Sequence, residues 1–267
     1  MFQGEPQVTK RSCRERKGKR SLMNEDPHSC QEILALLANR AALSTIGAVI
    51  QVMQDLDNML LSSDGLKWFN LLYLRVTQAV YEKPLAGGWH DQGWLSQLDI
   101  SFAQLYFDAL ASSCVDPTKV PRAWMALFEA RDNPDIERVQ FALAGINAHI
   151  NHDLPLALVQ TGKGLHIPPD RNSPECSDFE NVNSLLSEVM PETLNVLATG
   201  MLGELAQDMG TIGRLLAMWS VKTARDTAWT NAELLWELQN LPSLSDDLMM
   251  VLDRLSGLAS RGLLTTV

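Results

Sequence analysis

Apolar residues recur at steps of three and four along almost the whole chain, the spacing that paints one stripe on a helix. Ile46, Val49, Ile50, Met53, Leu56 and Leu60 form the first clear stripe. Ser62, Ser63 and Asp64 follow as a candidate cap, and Leu66, Phe69, Leu72, Tyr73, Val76 and Val80 make the next stripe. A Pro/Gly loop from Lys83 to Gly93 precedes a third, through Leu95, Leu98, Phe102, Leu105, Tyr106 and Ala109. Pro121 suits the first turn of a short helix carrying Trp124 and Phe128. Asp135 is expected to open a helix through Val139, Leu143, Ile146 and Ile150, which Pro155 must end or kink. A long irregular stretch is expected from Thr161 to Ser177, then helices over 178–189, 191–207, 211–239 and 243–262. No run alternates apolar and polar long enough to demand a strand. The pattern predicts an all-α fold, a single globular bundle of about eight or nine helices over residues 29–267.

Composition adds the environment. Of 267 residues, 46% are hydrophobic and 20% charged, an ordinary globular balance. The net charge of −10 is unevenly spread. Residues 1–20 hold seven bases and two acids, a tail of +5, whereas the remainder holds 15 bases and 30 acids, a body of −15. An acidic body argues against a nucleic-acid footprint, which needs Lys and Arg clustered on one face. Residues 1–28 read as a disordered basic extension outside the fold, with Met23 as an alternative start. No stretch nears 18 consecutive apolar residues, so no membrane span is expected. The four cysteines form no Cys-x-x-Cys pair and fit a cytoplasmic setting.

The chemistry concentrates in FALAGINAHINHDLPLAL, residues 141–158. On a helix with His149 at 0°, His152 falls at about −60° and Asp153 at about +40°, while Asn147 and Asn151 point away. Two imidazoles and a carboxylate thus share one sector beside the apolar stripe. They are donors that zinc or another divalent metal prefers. Gly145, a turn earlier, leaves room for a neighbouring backbone or a substrate. The competing reading is a structural His–Asp polar cluster. Asp99, Asp178 and Arg225 are the candidate catalytic residues outside this segment. Asp178 is otherwise explained as a helix cap, and Arg225 as a structural group stacked on Trp229 or paired with Asp153 or Asp178. His90, His166, Lys163 and Arg171 are loop candidates, the last two for an anionic substrate. Gly200, Gly203, Gly210 and Gly213 suit close helix crossings.

The string AGINAHINHDLPLAL, with LDISFAQLYFDAL upstream and ARDTAWTNAELLWEL downstream, resembles a bacterial all-helical family known only as a domain of unknown function. The resemblance spans about residues 40–262 and implies a helical fold without an activity. More weakly, His149-x-x-x-Asp153 followed by Pro155 is similar to the helical zinc-ligand stretch of zinc-dependent phospholipases C and single-strand nucleases. That resemblance implies a zinc site that uses His149 and Asp153; with His152 in the same sector, the leading reading is metal-assisted hydrolysis of an ester or phosphoester, with His149, His152 and Asp153 as ligands. The chain departs from that family in having Leu156-Ala157-Leu158 after the proline and no further histidine before His166. The alternative is a non-catalytic helical protein that binds a small molecule or serves a structural role around a buried His/Asp cluster.

Overall fold

In the computed structural model the most buried helix is the one richest in small residues, Arg138–Ala148 (α6), where Val139 through Ala148 are all buried. The structure describes residues 27–82, 88–197 and 221–266. Before α6 come α1 (Pro27–Leu36), α2 (Ile46–Met59), α3 (Gly65–Glu82), α4 (Gln92–Val115) and α5 (Arg122–Ala130). After it come α7 (Leu154–Leu165), α8 (Pro174–Leu197), α9 (Val221–Glu237) and α10 (Pro242–Leu263). With α6, a π-helical turn at His149–Asp153 and α7 counted as one rod, the described residues carry nine α-helices and no strand. The all-α expectation holds. No helix among the described residues is long and apolar enough to cross a membrane.

Local chemistry sets the helix starts. The Thr45 hydroxyl accepts from Ala48 N–H, and the Asp91 carboxylate from Trp94 N–H. Glu137 and Gln140 form a reciprocal capping box, so α6 opens at Arg138 rather than at Asp135. Asp64 accepts from Leu66 N–H at 2.9 Å and from Arg131 Nε at 3.0 Å, which ties the start of α3 to the end of α5.

Packing runs outward from α3, α4 and the α6–α7 rod. Helices α2, α6 and α8 lie on α3; α4 and α9 lie on α7; α10 covers α5 and α6. The α3–α6 contact is a matched pair of exchanges. A Cβ on Gly65 would stand 2.4 Å from the Phe141 ring, and one on Gly145 would stand 2.3 Å from the Phe69 ring. Gly-x-x-x-Phe on one helix thus meets Phe-x-x-x-Gly on the other, each ring filling the space its partner glycine leaves. Gly145→Ala is therefore expected to cost about 1–3 kcal/mol through overpacking, visible as a lower midpoint in urea unfolding. A midpoint within error of the wild type would show that Phe69 moves aside freely.

Two expectations about chain path change. Pro155 does not end the helix but disturbs it. Without an N–H it cannot bond the carbonyl four residues back, and the ladder widens to a π turn in which Leu154 N–H donates to His149 O. The irregular segment after it is shorter than expected. Helix α7 runs to Leu165 and ends on His166 in the left-handed region at φ 61°, while α8 already starts at Pro174. Ser173 caps α8, its hydroxyl accepting from Cys176 N–H at 3.0 Å. The break expected between 189 and 191 is absent, since α8 runs on to Leu197. The basic segment 1–26, the four glycines at 200, 203, 210 and 213, and parts of the helices expected over 191–207 and 211–239 lie outside the described residues.

Candidate functional site

The π turn gathers three of the candidate residues. Asp153, 1% exposed, accepts three hydrogen bonds. Its Oδ2 accepts from His149 Nδ1 at 2.9 Å and from Trp124 Nε1 at 2.9 Å. Its Oδ1 accepts from His152 Nδ1 at 2.7 Å. A carboxylate only accepts, so these bonds fix both imidazoles with the proton on Nδ1. Burial alone would push the Asp153 carboxyl up, but the bonds from His149 and His152 bring it below the ordinary carboxylate range. Burial works against a charge on His152, yet the bond to Asp153 and the charges of Asp153 and Asp253 outweigh it and leave that imidazole more basic than usual. His152 Nε2 lies 3.8 Å from Asp253 on α10.

His149 differs. Its ring is 1% exposed and stacks on Phe102 with centroids 3.4 Å apart. Tyr73 and Phe69 meet it edge-on at 4.5 Å and 5.7 Å. Burial outweighs the help from Asp153 and lowers its pKa, so the ring is neutral at pH 7. With Nδ1 spent on Asp153, Nε2 carries a lone pair, and this buried atom has no hydrogen-bond partner. The ring borders a cavity of about 60 Å³, room for a few waters.

That cavity lies between α3, α4, the α6–α7 rod, α8 and α9. Val76, Val80, Leu95, Leu98, Leu186 and Met190 supply most of its apolar wall. Four further polar side chains line it: Tyr73, Thr77, Asp99 and Arg225. Asp99 Oδ2 is buried without a partner. Burial, partly countered by Arg225, raises the Asp99 pKa to about 7. Arg225 is depressed by burial to about 10, with Asp99 acting the other way, and keeps its charge at neutral pH. Its Nε donates to Asn183 Oδ1 at 2.8 Å and its Nη2 to Phe179 O at 2.7 Å. The guanidinium sits 4.0 Å over the Phe179 ring, not on Trp229, whose indole donates to Glu233 instead. Arg225 therefore pairs with neither Asp153 nor Asp178. It faces Asp99 across the cavity without closing an ion pair.

The other candidates fall outside. Asp178 is neither a cap of its own helix nor a cavity residue. It accepts from His90 N–H, Asp91 N–H and His90 Nδ1 at 3.0, 2.7 and 2.8 Å, pinning the start of α4 to α8. Burial opposes the Asp178 charge, but these bonds lower its pKa on balance. Arg171 is held by Asp226 and by Thr230 Oγ1 on α9. His166 ends α7. Asn147 and Asn151 do point away from the histidines, yet into a packed interface. Asn147 Nδ2 donates to Ser256 O at 2.8 Å and to Ser260 Oγ at 2.9 Å on α10, and Asn151 Nδ2 donates to Asn147 Oδ1. The space beside Gly145 belongs to Phe69, not to a substrate.

His149, His152 and Asp153 do converge, but as imidazoles bonded to a central carboxylate. Among the described residues no group of three or more His, Cys, Asp or Glu is placed to hold a metal ion. Sequence spacing alone did not bring in Trp124, Tyr73 and Phe102, which read as core and serve as the donor and the walls around His149. A Trp one turn from the start of a short helix carries no sign of its distant acceptor.

Comparison with curated proteins and with solved structures returned no match. A family profile, described as a family of unknown function (DUF5995), matches residues 46–266, a span holding every residue of the cavity and of the Asp153 cluster. The chain belongs to that family of unknown function.

Proposed function

We propose that the cavity is a small-molecule acid–base site, with hydrolysis of a small ester as its reaction. One observation carries the reading. A buried imidazole is oriented through Nδ1 by a carboxylate and presents an unpartnered Nε2 beside a cavity. An unmet buried polar atom costs about 1–3 kcal/mol, and two of them, on His149 and Asp99, line the same space. Two titratable groups with pKa values driven to different sides of their ordinary values are the pattern of a proton acceptor and a proton donor. His149 Nε2 takes the proton of the attacking water. Asp99, protonated in part at pH 7, donates to the departing oxygen. Arg225 Nη1 holds the negative charge that develops on the carbonyl oxygen, and the aliphatic wall takes the acyl chain.

The test is hydrolysis of p-nitrophenyl acetate and butyrate by the full chain, with and without EDTA, and with zinc restored. Turnover that survives EDTA is expected. Turnover lost in EDTA and regained with zinc would move the reading to metal-assisted hydrolysis, for which His149 Nε2 and the Asp99 carboxylate are the unpartnered donors. No turnover, with saturable thermal stabilisation by butyrate, would make the protein a carrier instead of a catalyst.

A further inference from the structure

The outer face of α10 carries an apolar stripe that no other described residue covers. Leu244, Val251, Leu255 and Leu258 are 52%, 45%, 60% and 67% exposed, and Leu241 just before the helix is 52% exposed. With half-buried Leu248 they run 241, 244, 248, 251, 255, 258, alternating steps of three and four. This is the seam of a coiled coil, about 27 Å long at 1.5 Å per residue. It is distinct from the inner face of the same helix, where Ser256, Gly257 and Ser260 are buried. Gly257 there packs on the Arg122 backbone, where a Cβ would stand 2.6 Å from Arg122 O.

We propose that α10 pairs with α10 of a second copy of this chain, antiparallel, around a two-fold axis between Met249 and Met250. This register fills every layer with aliphatic side chains. Leu241 meets the second copy's Leu258, Leu244 meets its Leu255, and Leu248 meets its Val251; the two-fold repeats each contact. Charge selects the same arrangement. Asp247 and Arg254 flank the seam in equivalent heptad positions, and neither makes an ion pair among the described residues. In antiparallel pairing such positions meet their own kind, so Asp247 lies against the second copy's Arg254 on both sides of the axis. A parallel pair would instead set Asp247 beside Leu252 and Arg254 beside Ala259, with no charge satisfied. Sliding the antiparallel register by one heptad would place the two Arg254 side chains against each other.

Light scattering coupled to size exclusion, from 1 to 100 µM, tests this directly. The full chain is expected at twice its mass of 29.6 kDa in the upper part of that range. Leu255→Glu is expected to give a monomer with unchanged helical circular dichroism, because the side chain is on the surface. Asp247→Arg and Arg254→Asp are each expected to weaken the dimer about tenfold, and the double swap to restore it. A monomeric wild type at 100 µM would overturn the proposal and leave the stripe to some other occupant. So would a dimer indifferent to Leu255→Glu, or a double swap no tighter than either single change.

Discussion

Replacing Asp153 by alanine is expected to remove about 3–5 kcal/mol of stability, the range for taking one partner out of a buried charged cluster. The loss comes from three places at once. His149 Nδ1, His152 Nδ1 and Trp124 Nε1 all donate to this carboxylate, and among the described residues none of them is bonded to a second acceptor. Trp124 is fully buried, so water cannot replace the lost bond. His152, whose basicity Asp153 raises, also loses the nearer of its two carboxylates, leaving Asp253 at 3.8 Å. Urea unfolding at pH 7 measures the effect. Asp153→Asn provides the graded comparison: its amide oxygen still accepts from one or two donors, while its NH₂ faces a third donor, so it should fall between the wild type and alanine. A loss below about 1 kcal/mol for Asp153→Ala would show that the cluster rearranges around the gap and that Asp153 does not organise it.

The legible and illegible parts of this molecule follow from what each depends on. The helices were readable because burial of a single face is a local, periodic property. The stripes through Ile46–Leu60 and Leu66–Val80 lie within α2 and α3, apart from Leu60 at the end of α2. The bond between His149 and Asp153 was readable for a similar reason, since residues four apart meet on one side of a helix. What failed were features decided by a partner far away in the chain. Asp178 beside Ser177 looks like a helix cap, yet its oxygens serve the backbone of His90 and Asp91, almost ninety positions earlier. The Arg225–Trp229 spacing allows stacking, but Phe179 is nearer in space. The segment from Thr161 to Ser177 looked irregular because it is rich in Gly and Pro. Pro174 in fact sits at the first position of α8, where a missing N–H costs nothing. The π turn is an intermediate case: Pro155 announces a disturbance, but only the packing of both ends of the rod decides that it widens instead of breaking.

His149→Ala is expected to lower ester turnover by a factor of about 10²–10⁴, the usual contribution of a positioned general base. The pH profile of the wild type distinguishes this role from a structural one. His149 must be neutral to accept a proton, and burial holds its folded pKa below the ordinary 6.5, so activity climbs with pH along a limb whose midpoint lies below the ordinary imidazole value. Asp99 must be protonated to donate, and its pKa is raised to about 7, so activity falls again above that value. The expected profile is a narrow bell. Asp99→Asn removes the donor and, with it, the descending limb, while the ascending limb stays. The same change has a sign in stability. A carboxyl raised from its unfolded value near 4 to about 7 stabilises the fold while protonated and loses that contribution as pH rises from about 4 to 7. Asp99→Asn should thus match or fall below the wild type in stability at pH 4 and exceed it at pH 8. Nearby Arg225 moderates that gain, because the amide takes away the one opposing charge that acts on it. A His149→Ala protein with wild-type turnover would dismiss the imidazole as a base. Turnover lost from His149→Ala with a flat wild-type profile would mean that the ring only holds the cavity open between Phe102 and Tyr73.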